Sequence, residues 1–178
     1  MGVDVGRVLH VVIRSGRNSD GERPQRFAGV VDSFEEVGRL IQQYNVQTCV
    51  MDALPETRKA RDLQANFTDA RVWLAYYTGG GIGSKKQEAA DWNGREGVVN
   101  LDRTRMLDTT LARFIGGAPE NTLPANARDL PDYYAQLKAP IRQLEDGVAR
   151  YVESGADHFA HAENYCTAAA MRESWAMW

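Results

Sequence analysis

Val46-Gln47-Thr48-Cys49-Val50-Met51-Asp52 is the stretch on which the fold turns. It is short and largely apolar, and it stops at an acid. Helical spacing would be unusual in so few residues, so it reads as a buried central strand running parallel to the first strand of the chain. Its flanks agree. Upstream, Ser33-Phe34-Glu35-Glu36 has the capping-box pattern, and Phe34, Val37, Leu40, Ile41 and Tyr44 recur at helical spacing. Downstream, Pro55 stands at a favoured first-turn position for a helix running to about Asn66, and Arg71 to Tyr77 reads as another strand.

Further out, Gly2 to Arg14 is rich in Val, Leu and Ile around Gly6-Arg7, which predicts two strands joined by a tight turn. Ser15 to Gln25 reads as a loop and Phe27 to Asp32 as a third strand. Three strands, helix, strand, helix, strand is an α/β order, with parallel strands joined by crossover helices. Toward the C-terminus, Thr78 to Gly97 is glycine-rich and predicts a mobile surface loop, and Val98 to Leu101 a short strand. Thr104 to Ile115 predicts a helix with Leu107, Leu111 and Phe114 on one face, Gly116 to Leu130 a loop, and Tyr133 to Ala139 a short helix ended by Pro140. Ile141 to Leu144 and Val148 to Val152 flank Glu145-Asp146-Gly147, a hairpin signal. Asp157 to about Trp175 predicts a final helix, whose alanines let it lie close against a sheet.

The 178 residues fit one domain spanning 1–178. No run of eighteen apolar residues is present, so no membrane partner is expected, and the N-terminus lacks the layout of a signal peptide. The chain opens directly on a strand, which predicts a domain excised from a longer polypeptide. Cys49 and Cys166 lie far apart in apolar stretches and read as buried free thiols of a reducing compartment. The net charge of −3 weighs against nucleic acid, although carboxylates that bind cations would account for part of it. The basic residues cluster: Arg14, Arg17, Arg23 and Arg26 in one loop, Arg58, Lys59 and Arg61 in another stretch, Lys85 and Lys86 in a third. Gly79 to Lys86 resembles a phosphate loop but fails as one, because Ser84 rather than glycine precedes Lys85 and Lys86 follows it.

Three acids stand where elements end. Asp4 lies in the first strand, Asp52 terminates the central strand, and Asp157 begins the last helix. Adjacent parallel strands bring equivalent ends together, and a helix starting near that edge adds a third carboxylate. Hard oxygen ligands suit Mg2+ or Mn2+, and two such ions about 4 Å apart can activate water and steady the leaving oxygen of a phosphodiester. Each acid also has an ordinary reading: Asp4 as a turn residue, Asp52 as a loop acid, Asp157 as a helix cap.

Gly2-Val3-Asp4-Val5-Gly6, Cys49-Val50-Met51-Asp52-Ala53-Leu54-Pro55-Glu56 and Asp157-His158-Phe159-Ala160-His161-Ala162 with Tyr165 together resemble the nuclease domain of the large terminase subunit of tailed bacteriophages. Val99-Asn100-Leu101-Asp102-Arg103-Thr104 resembles a further stretch of that family. The resemblance runs over nearly the whole chain and is most specific in the Asp-His-Phe-Ala-His-Ala segment. It implies a ribonuclease H-like fold, a central mixed sheet flanked by helices with a C-terminal hairpin and helix. It also implies two Mg2+ or Mn2+ ions on Asp4, Asp52 and Asp157, the catalytic and metal-binding residues. The implied task is endonucleolytic cutting of concatemeric double-stranded viral DNA during packaging. The implied partners are an ATPase domain in cis, the small terminase subunit and the portal protein. The implied location is the host cytoplasm, transiently at the procapsid, with the isolated domain monomeric.

His158 and His161 lie three apart and read as neighbours of the metal site, or as ligands sharing it. A zinc site would want a further Cys or His, and His10 is the only other histidine, so zinc is set aside. Arg103, Arg142 and Arg150, with Lys85 and Lys86, are candidate phosphate contacts, against the plainer reading of solvated charges. Trp73, Tyr76 and Tyr77 read as core. Two other functions fit the same residues: a nuclease of the same fold resolving four-way DNA junctions, and a non-catalytic module that clamps DNA or docks a motor.

Overall fold

Alternation along the strands decides which residues meet which layer. In the computed structural model, which describes residues 1–67, 71–78 and 88–175, β1 (Gly2–Val5), β2 (Leu9–Arg14) and β3 (Arg23–Val31) form an antiparallel meander. Helix α1 (Phe34–Gln43) crosses to β4 (Cys49–Asp52), which lies parallel to β1, and α2 (Thr57–Ala65) crosses to β5 (Val72–Thr78), parallel to β4. Then follow β6 (Ala90–Asn93), β7 (Val98–Asp102), α3 (Arg103–Ala112), β8 (Asn121–Thr122), α4 (Tyr133–Leu137), the hairpin β9 (Pro140–Glu145) and β10 (Val148–Glu153), and α5 (His158–Trp175). The main sheet is mixed, in the order β6-β7-β5-β4-β1-β2-β3-β8, and the hairpin is a separate two-stranded sheet. The protein is therefore α/β, with helices on both faces of a central mixed sheet.

One face is apolar throughout its centre. Val3, Val5, Leu9, Val11, Ile13, Cys49, Met51, Val72 and Leu74 pack there against Val37 and Ile41 of α1 and Ala60 and Leu63 of α2. The opposite face meets α5: Val50, Trp73 and Ala75 lie with Tyr165, Ala168 and Ala169, while Val12 lies with Phe159, Ala162 and Cys166. Gly2 makes this close approach possible, since a Cβ there would run into the Ala162 carbonyl oxygen and the Cys166 amide nitrogen. Small residues on both surfaces let the helix backbone rest nearly on the strand.

The first helix is capped as its sequence says, with the Ser33 side chain accepting from the Glu36 amide at 3.2 Å. The Glu36 carboxylate reaches one residue further back than a capping box requires, to the Asp32 amide at 3.0 Å. The two cysteines are buried and free, and burial pushes the Cys49 thiol up to about 12. The hairpin turns on Asp146 and Gly147, both at positive φ (50° and 78°), the geometry that Asp-Gly favours.

Several expectations need correction. The third strand begins at Arg23 rather than Phe27, because the pairing with β2 continues to Arg14↔Gln25 and Arg23 pairs with Asn121 of β8. Pro55 precedes its helix, which starts at Thr57 with Glu56 at the cap position. The stretch from Thr78 to Gly97 is not all loop, since Ala90–Asn93 is an edge strand antiparallel to β7. Its apolar residues were too few to show this by periodicity; ladder hydrogen bonds to β7 hold it. The glycine run with Lys85 and Lys86 lies outside the described residues. Gly116 to Leu130 likewise contains β8 and a 3-10 turn at Ala127–Asp129. Arg14, Arg23 and Arg26 sit in strands, and the first two are buried, so the first basic cluster is not a loop patch. None of the described helices is long and apolar enough to cross a membrane.

Candidate metal centre

Register places the candidate residues in one row. Strand β1 pairs with β4 as Gly2↔Val50 and Val3↔Met51, an offset of 48, and one more step sets Asp4 beside Asp52. On the other side Asp4 is paired with His10 of β2, and beyond Asp52 lies Ala75 of β5. Residues directly opposite on neighbouring strands point to the same side. His10, Asp4, Asp52 and Ala75 therefore form a line across four strands, on the face that meets α5. Neighbouring strands are about 4.8 Å apart, so Asp4 and Asp52 stand as immediate neighbours in the row. Ala75 is the small member of the row and adds no competing polar group.

The N-terminus of α5 arrives over this row. His158 Nδ1 lies 2.9 Å from Asp4 Oδ2; the carboxylate accepts, so this nitrogen carries the proton. His10 stacks on His158 with ring centroids 4.6 Å apart and 18° between planes, and meets the edge of Phe159. Ligand atoms of Asp4, His10 and His158 all lie within 4.8 Å of one another, the one such trio of His, Cys and acidic residues among the described residues. His10 is 7% exposed and its Nδ1 has no hydrogen-bond partner. An unpaired buried polar group costs about 1–3 kcal/mol. Burial, then the neighbouring His158, lowers the His10 imidazole to about 4, so it is neutral at pH 7 and has a lone pair to offer.

The acids divide into two kinds. Burial raises Asp4, partly offset by His161 and by the His158 hydrogen bond, and the Asp52 charge adds to the rise. Burial also raises Asp52, offset chiefly by the Leu54 amide, which donates to Oδ1 at 3.0 Å. The Tyr165 hydroxyl lies against Asp52 and lowers it, yet makes no hydrogen bond of good geometry. Among the described residues neither Asp4 nor Asp52 has an Arg or Lys partner.

Asp157 differs. Burial would raise it, but the 3.1 Å hydrogen bond from His161 Nε2, with the charges of His161, Arg103 and His158, outweighs burial and holds it below the usual carboxylate range. The Arg103 guanidinium is 3.7 Å from the same oxygen and 3.4 Å from Glu153. The three acids do not all offer ligand atoms within the 4.8 Å span of the Asp4, His10 and His158 trio.

A relay of side chains holds His161. Thr110 Oγ1 donates to Asn164 Oδ1 (2.7 Å), Asn164 Nδ2 to the Tyr77 hydroxyl (2.8 Å), and that hydroxyl to His161 Nδ1 (2.7 Å). With Nδ1 accepting, Nε2 carries the proton that goes to Asp157. The helix end itself is satisfied by Gln136 of α4, whose Oε1 accepts from the Phe159 amide at 3.1 Å. Asp157 is at the cap position by its backbone, where its carbonyl accepts from the His161 amide, but its carboxylate goes to the imidazole.

No family model matches this chain, and no curated protein or solved structure matches it. The site is thus read from its own chemistry. The oxygen and imidazole donors of Asp4, Asp52, His10 and His158, with no Arg or Lys paired to the two acids among the described residues, fit a divalent cation, and the unpaired His10 nitrogen is an atom that an ion would satisfy.

The remaining sequence candidates scatter. Arg103 reaches the site. Arg142 is tied to Asp108 of α3 (Nε to Oδ1 2.9 Å), where the Tyr151 hydroxyl also donates, so it anchors the hairpin. Arg150 stays on the hairpin, 3.7 Å from Glu145. Sequence reasoning discounted His10 and read Tyr77 as core. The signal for His10 was present in the tight turn after β1, because a hairpin pairing Val5 with Leu9 must set His10 opposite Asp4.

Proposed function

We propose that this chain is a divalent-metal-dependent endonuclease acting on double-stranded DNA, built on a ribonuclease H-like fold and similar to the nuclease domain of the phage large terminase subunit. The observation that carries the reading is the side-by-side placement of Asp4 and Asp52 on adjacent parallel strands, under the helix α5 that Asp157 precedes. The order β3-β2-β1-β4-β5, with β2 antiparallel to its neighbours, supports the fold assignment.

Asp4 and Asp52 would hold Mg2+ or Mn2+, with Asp157 completing the site after release from Arg103 and His161. Bound ions of this kind supply a water-derived nucleophile and stabilise the charge that develops on the phosphate. The chain's own contribution is orientation. Leu54 fixes the Asp52 carboxylate, His158 fixes Asp4, and the Thr110-Asn164-Tyr77 relay fixes the tautomer of His161. Arg103 is then free to meet a phosphate oxygen, since a DNA backbone offers its guanidinium the same anionic partner that Asp157 does. In the packaging assembly this reading carries with it an ATPase domain in cis, a small terminase subunit and a portal protein.

The test is direct. Purified protein is incubated with supercoiled plasmid and Mn2+ or Mg2+, with and without chelator. Nicked and linear DNA should appear with metal alone and vanish both with chelator and in Asp4→Ala. Undiminished cleavage by a folded Asp4→Ala protein rejects the assignment.

A further inference from the structure

We propose that His10 is a direct metal ligand, and that Asp4, His10 and His158 form a mixed oxygen and nitrogen site that selects Mn2+ or Zn2+ over Mg2+. The inference shares Asp4 with the proposed function, but its test does not depend on cleavage.

Three observations carry it. The trio's ligand atoms already lie within 4.8 Å of one another, although they come from β1, β2 and α5. His10 is 93% buried by its 7% exposure, in a strand whose next residue on the same face is Val12, yet its Nδ1 has no partner. The second imidazole is aligned on the first by stacking, and its own Nδ1 is held to Asp4. A buried histidine kept for packing alone would be expected to bond both nitrogens or to give way to an apolar residue, as at Val12. Phe159 and Gln136 hold the end of α5, so His158 stays in place whether or not an ion is bound.

The choice of ion follows from the donors. Imidazole nitrogen is a borderline-soft ligand that suits Zn2+ and the transition metals, whereas Mg2+ prefers oxygen and keeps its waters. Ligation through Nδ1 would break the His158 hydrogen bond to Asp4, the neutral imidazole then carrying its proton on Nε2. Asp52, next in the row, remains available to the same ion or to a second one.

The experiment uses the whole chain with Mn2+ or Zn2+ alone. Pulsed electron paramagnetic resonance of the Mn2+-loaded protein reads directly whether nitrogen is bonded to the ion. Wild type should show nitrogen coupling, and His10→Phe, which keeps a ring in the stack, should show it reduced. Zn2+ should raise the Tm of wild type and raise that of His10→Phe much less. Loss of outer-shell partners of a metal ligand weakens binding about 10–100-fold, so loss of a ligand should weaken Zn2+ binding by at least about tenfold. Should His10→Phe fail to fold, the wild-type spectrum alone decides, through coupling to two imidazoles rather than one. Absence of nitrogen coupling, coupling from one imidazole only, or coupling unchanged in His10→Phe overturns the proposal. Nitrogen coupling without plasmid cleavage would sink the nuclease reading and leave this one standing; Mn2+-dependent cleavage without coupling would do the reverse.

Discussion

Helix α5 packs over two polar clusters, one buried and one partly open, and they solve opposite problems. At Glu163 the chain supplies its own cation. Arg14 bonds both carboxylate oxygens at 2.8 Å, Tyr133 donates at 2.6 Å and Gln25 at 3.3 Å, and both charged side chains are almost wholly out of water. Five residues earlier, at His158, the same helix covers Asp4 and Asp52, which have histidine and backbone partners but, among the described residues, no guanidinium or ammonium. The first cluster is a closed ion pair. The second is an open one, with two carboxylates raised by burial and an imidazole nitrogen left unpaired. A buried acid that meets Arg within the chain is doing structural duty, whereas buried acids left together call for a cation from outside.

The largest effect that would break this contrast concerns activity. Asp52→Asn keeps the size of the side chain and an oxygen for the Leu54 amide, but removes the charge. If Asp52 binds the ions, plasmid nicking in Mn2+ should fall by about a thousandfold, equivalent to roughly 4 kcal/mol of transition-state stabilisation, with the circular dichroism spectrum unchanged. Retained nicking would place the chemistry elsewhere.

Next is the closed pair. Glu163→Ala leaves Arg14 buried and uncompensated and should destabilise the fold by about 3–5 kcal/mol in urea unfolding. The double variant Arg14→Met with Glu163→Leu should recover most of that loss. If the single variant costs nothing, the pair is not the closed unit described.

A smaller effect tests the approach that brings both clusters to the sheet. Gly2→Ala forces α5 away from β1 and should cost about 1–3 kcal/mol by overpacking. It should also weaken Mn2+ binding, because His158 rides on the displaced end. Melting curves and Mn2+ titration read the two effects separately.

The smallest effect has the opposite sign. Asp52 has a raised folded pKa, so its charged form opposes folding above that pKa, and the opposition fades as pH falls through it. Metal-free Asp52→Asn should therefore melt higher than metal-free wild type at pH 7, by about 2–4 °C for each kcal/mol relieved. The gap should close in acid. Asp157 runs the other way: its folded pKa is lowered, so the stability it contributes is present at neutral pH and is lost as pH falls through that lowered value. A neutral-pH Tm for Asp52→Asn below wild type would show that the carboxylate is stabilised within the chain after all.

Much of the frame was legible in the residues. Ser33 with the 3.6-residue spacing from Phe34 to Tyr44 specified a capped helix, the run from Val46 to Asp52 signalled the strand that forms over Cys49–Asp52, and Asp146-Gly147 specified a hairpin. These are local signals, set by backbone preference and side-chain period, and they survive whatever packs around them. The edge strand at Ala90–Asn93 was not legible, because its ladder is held by β7 and its own composition says little. Arg14 misled for a related reason: only the arrival of Glu163, 149 residues later, turns an arginine at the end of a strand into part of the core.

For the candidate site, the sequence by itself determined that Asp4, Asp52 and Asp157 stand at the ends of elements, and that alanines and Gly2 would let a helix lie close. Only the tertiary structure decided that His10 joins Asp4 and His158, that Tyr77 steadies His161, and that Asp157 turns to Arg103. The reason is physical. A strand end or a cap is written within a few neighbouring residues, whereas a ligand set depends on register across strands and on the angle at which a distant helix comes to rest.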